Sequence, residues 1–207
     1  MEFDTPDDAT LQEVLTWRRD VRHFKTDQIP QDEIDQLRAS MDAAPSVGNA
    51  RPWRVVQVQS SGKRQAIIDN FEAANTKAAA QYTDQKRKDY LALKLAGLRD
   101  APVHLAVFTD LEPAAGHGLG RQTMPEMLAY STVIAIHTLW LSARALNIGV
   151  GWVSILDPKA IEGLLEVPNT WKLTGYLCVG YPEFQDDTPL LHQKGWQENT
   201  QTQWEIV

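Results

Sequence analysis

The sequence predicts one domain of mixed α and β structure, and three observations predict it. A length of 207 residues lies between one and two domains of about 150 residues each, and no linker or internal repeat divides residues 1–207. A hydrophobic content of 43% with 23% charged residues is typical of globular proteins. Helical periodicity alternates along the chain with short apolar runs, and this alternation taken alone favours a parallel α/β sheet.

In the first half, helices are predicted where apolar residues recur every three or four positions. Thr10 and Glu13 form a capping-box pattern that indicates a first helix ending near Trp17. The segment 75–88 is polar and alanine-rich, so we expect a mobile helical excursion there. The other predicted elements of this half are a helix from Pro30 to Pro45, a loop over 46–52, a strand over 54–59, a helix carrying Ile67, Ile68 and Phe71, and a helix from Leu91 to Leu98.

The second half contains the most apolar segment, residues 127–146. Its pattern predicts a central helix buried on most sides, with His137 as a core histidine. Residues 185–207 show no clear period and predict an extended tail that docks on a partner subunit. The remaining elements are a strand over 103–109, a glycine-rich loop or lid at Gly116, Gly118 and Gly120, a strand over 149–155, a helix from Pro158, and a strand over 173–179.

The composition argues against several classes of function. The formal charge of −7 argues against general binding of nucleic acid or of anionic membrane surfaces, so any anion site must be local. Cys178 is the only cysteine and lies in an apolar run, which predicts a buried side chain and a cytoplasmic protein. The five histidines show no metal-ligand spacing, so no metal site is predicted. The acidic start Met1–Asp4 lacks the features of a signal peptide, and no apolar run is long enough to cross a membrane.

A basic cluster stands out from the negative net charge of the chain. Arg18, Arg19 and Arg22 lie within five residues and surround Asp20. The three guanidinium groups offer donors that match a phosphate, although a solvated basic turn with Asp20 as charge balance is the alternative. In the first interpretation, Asp20 is a carboxylate beside a bound ligand that can orient it or accept a proton.

Several motifs resemble a known family. Arg18-Arg19-Asp20-Val21-Arg22 with Phe24, Ala44-Pro45-Ser46, and Pro52-Trp53-Arg54 resemble the N-terminal signature of the FMN-dependent nitroreductase superfamily. The string Gly149 to Ile155, the closing Lys194-Gly195-Trp196 and the aspartate after the double arginine are similar to one branch, the 5,6-dimethylbenzimidazole synthases. The likeness runs from about Leu15 to Trp196.

The resemblance implies an α+β fold in place of the parallel sheet. It is a nitroreductase-like three-layer sandwich, in which a mostly antiparallel sheet is flanked by helices. Two subunits would form an intertwined homodimer with FMN in each of two interface pockets. A dimer would also bury the face of the central helix that a monomer leaves exposed to solvent.

The resemblance further implies a reaction and its residues. In that branch reduced FMN is substrate as well as cofactor: O2 oxidises and fragments the flavin, giving dimethylbenzimidazole and erythrose 4-phosphate. Asp20 and Ser154 correspond to catalytic residues, and 75–88 would be a lid that excludes water. The cofactor-binding positions implied are Arg18, Arg19, Asp20, Val21, Arg22, Ser46, Asn49, Gly151, Trp152, Val153 and Ser154.

Two other functions stay open at this point. Asn49 is more like ordinary nitroreductases, which favours an NAD(P)H-dependent reductase of nitro compounds, quinones or a corrin, of the cobyrinate diamide reductase type. A flavin carrier without catalysis is the third hypothesis. For the synthase, NAD(P)H would act only indirectly, through a separate flavin reductase.

Overall fold

The structure is a computed structural model that describes residues 4–93 and 96–207. The helices are α1 (Thr5–Trp17), α2 (Gln31–Asp42), α3 (Ser61–Ala79), α4 (Asp84–Leu91), α5 (Met127–Ala145), α6 (Pro158–Leu164) and α7 (Leu190–Gln193). The strands are β1 (Trp53–Gln57), β2 (Val103–Asp110), β3 (Gly149–Val153) and β4 (Trp171–Gly180), and short 3-10 turns lie at Val47–Asn49 and Ala115–Gly118. Within the described ranges, no helix has the length and apolarity that a bilayer crossing requires.

The four strands form one sheet in the order β1-β2-β4-β3, and every neighbouring pair is antiparallel. The α+β prediction is therefore confirmed, and the parallel sheet suggested by alternation alone is wrong. Alternating elements fix the sequence of helices and strands but not their order in the sheet. Here β4 inserts between β2 and β3, so each strand runs against its neighbours.

Both faces of the sheet are covered by helices, which confirms the three-layer prediction. Along β2, Val107 belongs to a core cluster with residues of α2 and α5, whereas Phe108 belongs to a second cluster with residues of α3 and α6. This alternation is the period of two expected for a strand buried on both faces. The sheet therefore separates two apolar cores.

The first helix begins earlier than predicted. Asp4 is its N-cap: the Asp4 side chain accepts a hydrogen bond from the Asp7 amide, and the Asp7 side chain accepts one from the Asp4 amide. The capping box predicted at Thr10 is wrong, since the Thr10 hydroxyl donates to the Pro6 carbonyl inside the helix. The predicted end at Trp17 is confirmed, and α1 contains no buried residue.

Helix α5 is buried on one face only. Its buried residues recur every three or four positions, while an opposite stripe is exposed, comprising Tyr130, Val133, Ile134 and His137. The prediction of burial on most sides is wrong for a single chain, and so is the core assignment of His137. Helical periodicity places residue 137 on the same side as 130, 133 and 134, away from the sheet. The stripe is apolar apart from the histidine.

Other boundaries differ by a few residues. The predicted excursion 75–88 consists of the end of α3, a turn and most of α4. The helix predicted from Leu91 to Leu98 is wrong, because α4 ends at Leu91 and Leu98 lies in a turn; Lys94 and Leu95, within that prediction, lie outside the described residues. Strand β3 ends at Val153, and the tail contains the short helix α7.

A buried polar group lies in the core beneath α3. His104 Nδ1 lies 2.9 Å from the Tyr176 hydroxyl, and Cys178 is fully buried in the same cluster, as predicted. Burial lowers the pKa of His104 to about 4, with a smaller contribution from Arg64, and burial raises the pKa of the Cys178 thiol. His104 is therefore a neutral imidazole near pH 7.

His104 is expected to make folding stability fall with acid. The unfolded chain takes up a proton at His104 near pH 6.5, but the folded chain does so only near pH 4, so stability is lost as pH falls through this window. The loss from this group is up to about 3 kcal/mol. Urea unfolding at pH 7 and pH 5 measures about 2 kcal/mol of this loss, because the folded chain takes up its proton only near pH 4. His104→Gln should flatten this dependence, and an equally steep dependence in that variant would contradict the assignment.

Candidate active site

The basic segment 18–24 lies along the outer edge of β3. Asp20 forms a parallel bridge with Val150, and the Val21 amide donates to the Val150 carbonyl at 3.1 Å. Phe24 anchors the segment, because its side chain is only 2% exposed and packs in the second core cluster. The backbone of the basic cluster is thus held by both the sheet and the core.

Two hydrogen bonds orient the carboxylate of Asp20. Its Oδ1 accepts from the Trp152 amide at 3.0 Å, and its Oδ2 accepts from Arg22 Nε at 2.8 Å. The Arg22 side chain is 12% exposed and that of Asp20 is 34% exposed. One carboxylate is therefore fixed in position yet still open enough to meet a ligand.

The other two arginines take different positions. The Arg18 guanidinium lies over the Trp140 ring, 4.8 Å from its centroid, and burial lowers the pKa of Arg18, with Arg19 as the next cause. Arg19 Nε donates to the Asp187 carbonyl at 2.8 Å. The C-terminal segment that contains Asp187 therefore closes over the basic cluster.

A small cleft lies between this cluster and the C-terminal segment. Arg19, Asp20 and Arg22 line it together with Phe184 and Thr188, and its volume is about 60 Å³. Pockets for ligands of drug size span roughly 300–1,000 Å³. The cleft can hold a phosphate-sized group but not a flavin ring.

Ser154 lines a second, larger cleft. It is exposed just beyond the end of β3, in a cleft of about 480 Å³ whose other wall is α3, including Asn70, Ala74 and Lys77. This volume is sufficient for a ring system. The chain therefore has a small cleft at the basic cluster and a separate, larger cleft just beyond the end of β3.

Ser46 and Asn49 lie elsewhere. The Ser46 hydroxyl accepts from the Arg51 amide, and the Val47 amide donates to Ser131 on α5, each at 3.0 Å. Ser131 precedes Trp140, which contacts Arg18, by nine residues, or about 14 Å along the helix axis. One chain therefore does not bring these two residues to the basic cluster.

Comparisons with known proteins assign the chain to a family. The model of the Nitroreductase family matches residues 15–181. The chain belongs to the nitroreductase family. Within that family it belongs to the 5,6-dimethylbenzimidazole synthase branch: it is 57% identical to such a synthase from Rhodobacter capsulatus, over 99% of both chains, and 49% identical to one from Rhodospirillum rubrum, over 90% of this chain and 89% of the relative.

A solved structure extends the likeness to the fold. A crystal structure of iodotyrosine deiodinase bound to FMN and 3-iodo-L-tyrosine superimposes with a TM-score of 0.74 and 20% identity, covering 95% of this chain and 97% of that one. At this identity the match shows a shared nitroreductase fold. The two chains therefore share their overall fold.

The two halves of this nitroreductase-family chain also meet at an aromatic cluster over the predicted lid. Trp196 packs edge-on against Tyr82, with ring centroids 5.5 Å apart, and lies close to Tyr90. Lys86 Nζ lies 3.8 Å from the centroid of the Trp196 ring and 3.3 Å from the Trp196 carbonyl. Trp196 of the C-terminal segment thus holds α4 and the turn before it in place.

Sequence reasoning missed Trp140 as a residue of the site. Its neighbours in the sequence are apolar, so packing alone accounted for it. Its contact with Arg18 joins residues 122 positions apart, and the local pattern carries no signal for that contact.

Gly151→Ala is expected to loosen the basic segment. A Cβ at Gly151 would overlap the Val21 carbonyl oxygen, so the segment would have to move away from β3. We expect a loss of about 3 kcal/mol in unfolding free energy and weaker anion binding. Urea unfolding and an FMN titration measure both.

Gly163→Ala is the matched control for this prediction. A Cβ at Gly163 meets nothing within 4 Å, and the residue lies in α6, so alanine there should stabilise the fold slightly. Equal stability of wild type and Gly151→Ala would show that the close approach at Val21 is unimportant.

Proposed function

We propose that this protein is a 5,6-dimethylbenzimidazole synthase, which uses O2 to convert reduced FMN into dimethylbenzimidazole and erythrose 4-phosphate. The observation that carries the proposal is the Asp20 carboxylate, held between the Trp152 amide and Arg22 within the basic cluster. High identity to synthases over nearly the whole chain supports it. The protein would act in the cytoplasm on FMN reduced by a separate flavin reductase.

The residues present fit FMN. Arg19 and Arg22 line a cleft of phosphate size and supply donors for the phosphate, and Arg18, next to Arg19 in the chain, would supply a third guanidinium. Ser154 lines the larger cleft and offers a hydroxyl, whereas Val153 is buried and Gly151 packs against the Val21 carbonyl, so these two residues shape the strand beside the site. The bound flavin would supply the redox chemistry with O2.

Asp20 is proposed to act as the general base toward the ribityl chain. A carboxylate can accept a proton at Oδ1 or Oδ2, and its two hydrogen bonds fix its direction during the transfer. Ser154 would orient the flavin from the larger cleft. The segment 75–88, held by its contact with Trp196, would act as a lid and exclude water from the bound flavin.

We propose that the active form is a homodimer with FMN at the subunit interface. The exposed stripe of α5 lies beside α1, where Leu11, Leu15 and Trp17 are also exposed. Large contiguous apolar surfaces of this kind mark protein interfaces. A second copy across this face would supply Ser46 and Asn49, which one chain keeps away from its own basic cluster. The exposed tail around Trp204 would dock on the same partner.

A product assay tests the proposed function. The protein is mixed with FMN, NADH and an unrelated flavin reductase in air, and dimethylbenzimidazole is sought by chromatography and mass spectrometry. Dimethylbenzimidazole should accumulate only with protein, reduction and O2 together. When the added flavin reductase is left out, rapid and repeated bleaching of bound FMN by NAD(P)H, with no dimethylbenzimidazole, would instead identify a reductase. Tight FMN binding without either reaction would identify a carrier.

A further inference from the structure

Two tryptophans connect Arg18 with Asp20. Trp140 on α5 lies under the Arg18 guanidinium, and its ring centroid is 6.4 Å from that of Trp152 on β3. The backbone amide of Trp152 in turn donates to Asp20 Oδ1. The cation therefore lies on Trp140, Trp140 contacts the tilted ring of Trp152, and the backbone of Trp152 holds the carboxylate.

The strand beneath Trp152 has no side chain at the contact. A Cβ at Gly175 of β4 would lie 2.5 Å from Trp152 Nε1 and 2.7 Å from its Cε2. The Trp152 indole therefore lies directly against the backbone of β4. Glycine at this position sets how far Trp152 extends toward Trp140.

We propose that Trp140 is a positioning residue for the Arg18 guanidinium, and that Trp152 on Gly175 holds Trp140 in place. This inference rests on the proposed function, in which Arg18 binds the phosphate of FMN. An arginine side chain has many rotamers, and an aromatic face below the guanidinium restricts them before the anion arrives. The face leaves the in-plane N–H donors of the guanidinium available to a phosphate.

The contact uses the ring of Trp140 and not its N–H. Among the described residues, the buried Trp140 Nε1 meets no hydrogen-bond acceptor. A phenylalanine, which keeps a ring face and has no N–H, should therefore replace Trp140 with little loss of FMN affinity. Leucine or methionine removes the face and should not.

The experiment compares two probes, oxidised FMN and riboflavin, titrated in the dark against Trp140→Leu and Trp140→Phe with flavin fluorescence as readout. Riboflavin lacks the phosphate, so only FMN binding depends on Arg18. We expect Trp140→Leu to weaken FMN binding by about tenfold and riboflavin binding by less than about twofold. Trp140→Phe should stay within about threefold of wild type for FMN.

Two further sets of variants make each outcome decisive. Trp171→Leu is the matched control, because Trp171 lies near another arginine, Arg54, at 5.9 Å. If Trp140→Leu does not fold, Trp140→Met replaces it with the same expected selectivity. If Trp140→Leu lowered the affinities for FMN and for riboflavin by the same factor, the role of Trp140 would be purely structural and the inference would be overturned.

Arg18→Ala separates the inference from the proposed function. If it weakens FMN binding while the Trp140 variants do not, the positioning role is overturned and the phosphate assignment stands. If it leaves FMN binding unchanged, Arg18 does not bind the phosphate, and both the assignment and the inference that rests on it are overturned.

Discussion

Asp20→Asn is expected to lower dimethylbenzimidazole formation at least a hundredfold while FMN still binds. The asparagine Oδ1 can accept the hydrogen bond of the Trp152 amide, so the segment keeps its place on β3. The amide cannot take up a proton as the carboxylate can, and general base catalysis typically contributes about 10²–10⁴ in rate. Product formation under single-turnover conditions and an FMN titration measure the two effects separately.

Asp35→Asn is the matched control for the charge change. Asp35 lies on α2 and accepts only a side-chain hydrogen bond from Gln31 among the contacts described for it. Its variant should keep wild-type rates. If Asp20→Asn retained more than half of the wild-type rate, Asp20 would not be the base, and the proposed mechanism would have to place the proton elsewhere.

Ile134→Glu is expected to separate the dimer and to abolish tight FMN binding. Ile134 is 40% exposed in one chain and lies in the apolar stripe of α5. A carboxylate buried there by a second copy would lose its hydration among mostly apolar side chains, and the nearby His137 has a pKa lowered by burial and by Arg18, so the change costs several kcal/mol. Sedimentation velocity measures the mass, and an FMN titration measures the site that Ser46 and Asn49 would complete.

A glutamate on another surface controls for added charge. Gln65→Glu lies on α3, where Gln65 contacts only Asp69 among the contacts described for it, and should remain dimeric and bind FMN. A monomeric Ile134→Glu protein that bound FMN as tightly as wild type would show that one chain holds a complete site. That result would refute the shared site and leave the synthase reaction itself untouched.

The sequence predicts most elements because their signals are local. The strand at 103–109 and the helix from Pro30 follow from apolar spacing and a proline, and the structure confirms both. The antiparallel order does not follow from such signals, since strand order is set by long-range pairing. Near the N-terminus the sequence contains two capping-box patterns, one at Asp4 and one at Thr10. The helix begins at the first, which also has Pro6 within the first helical turn.

The site was predictable in part for the same reason. The cluster at Arg18, Arg19 and Arg22 is contiguous, so its charge is visible in the sequence. The stacking of Arg18 on Trp140 and the hydrogen bond from Trp152 to Asp20 join distant segments, and no spacing predicts them. The exposed position of His137 depends on which face of α5 meets the sheet, which the apolar content of that helix conceals.

The bridge between Asp20 and Val150 also affects how the sheet ends. Strand β3 is an edge strand, and an unpaired edge can add a strand from another molecule and begin aggregation. The segment 20–22 lies along this edge, pairs with Val150 and places two charged side chains beside it. The segment proposed to bind the ligand thus protects the edge. Variants that detach it should therefore raise the tendency to aggregate as well as lower activity.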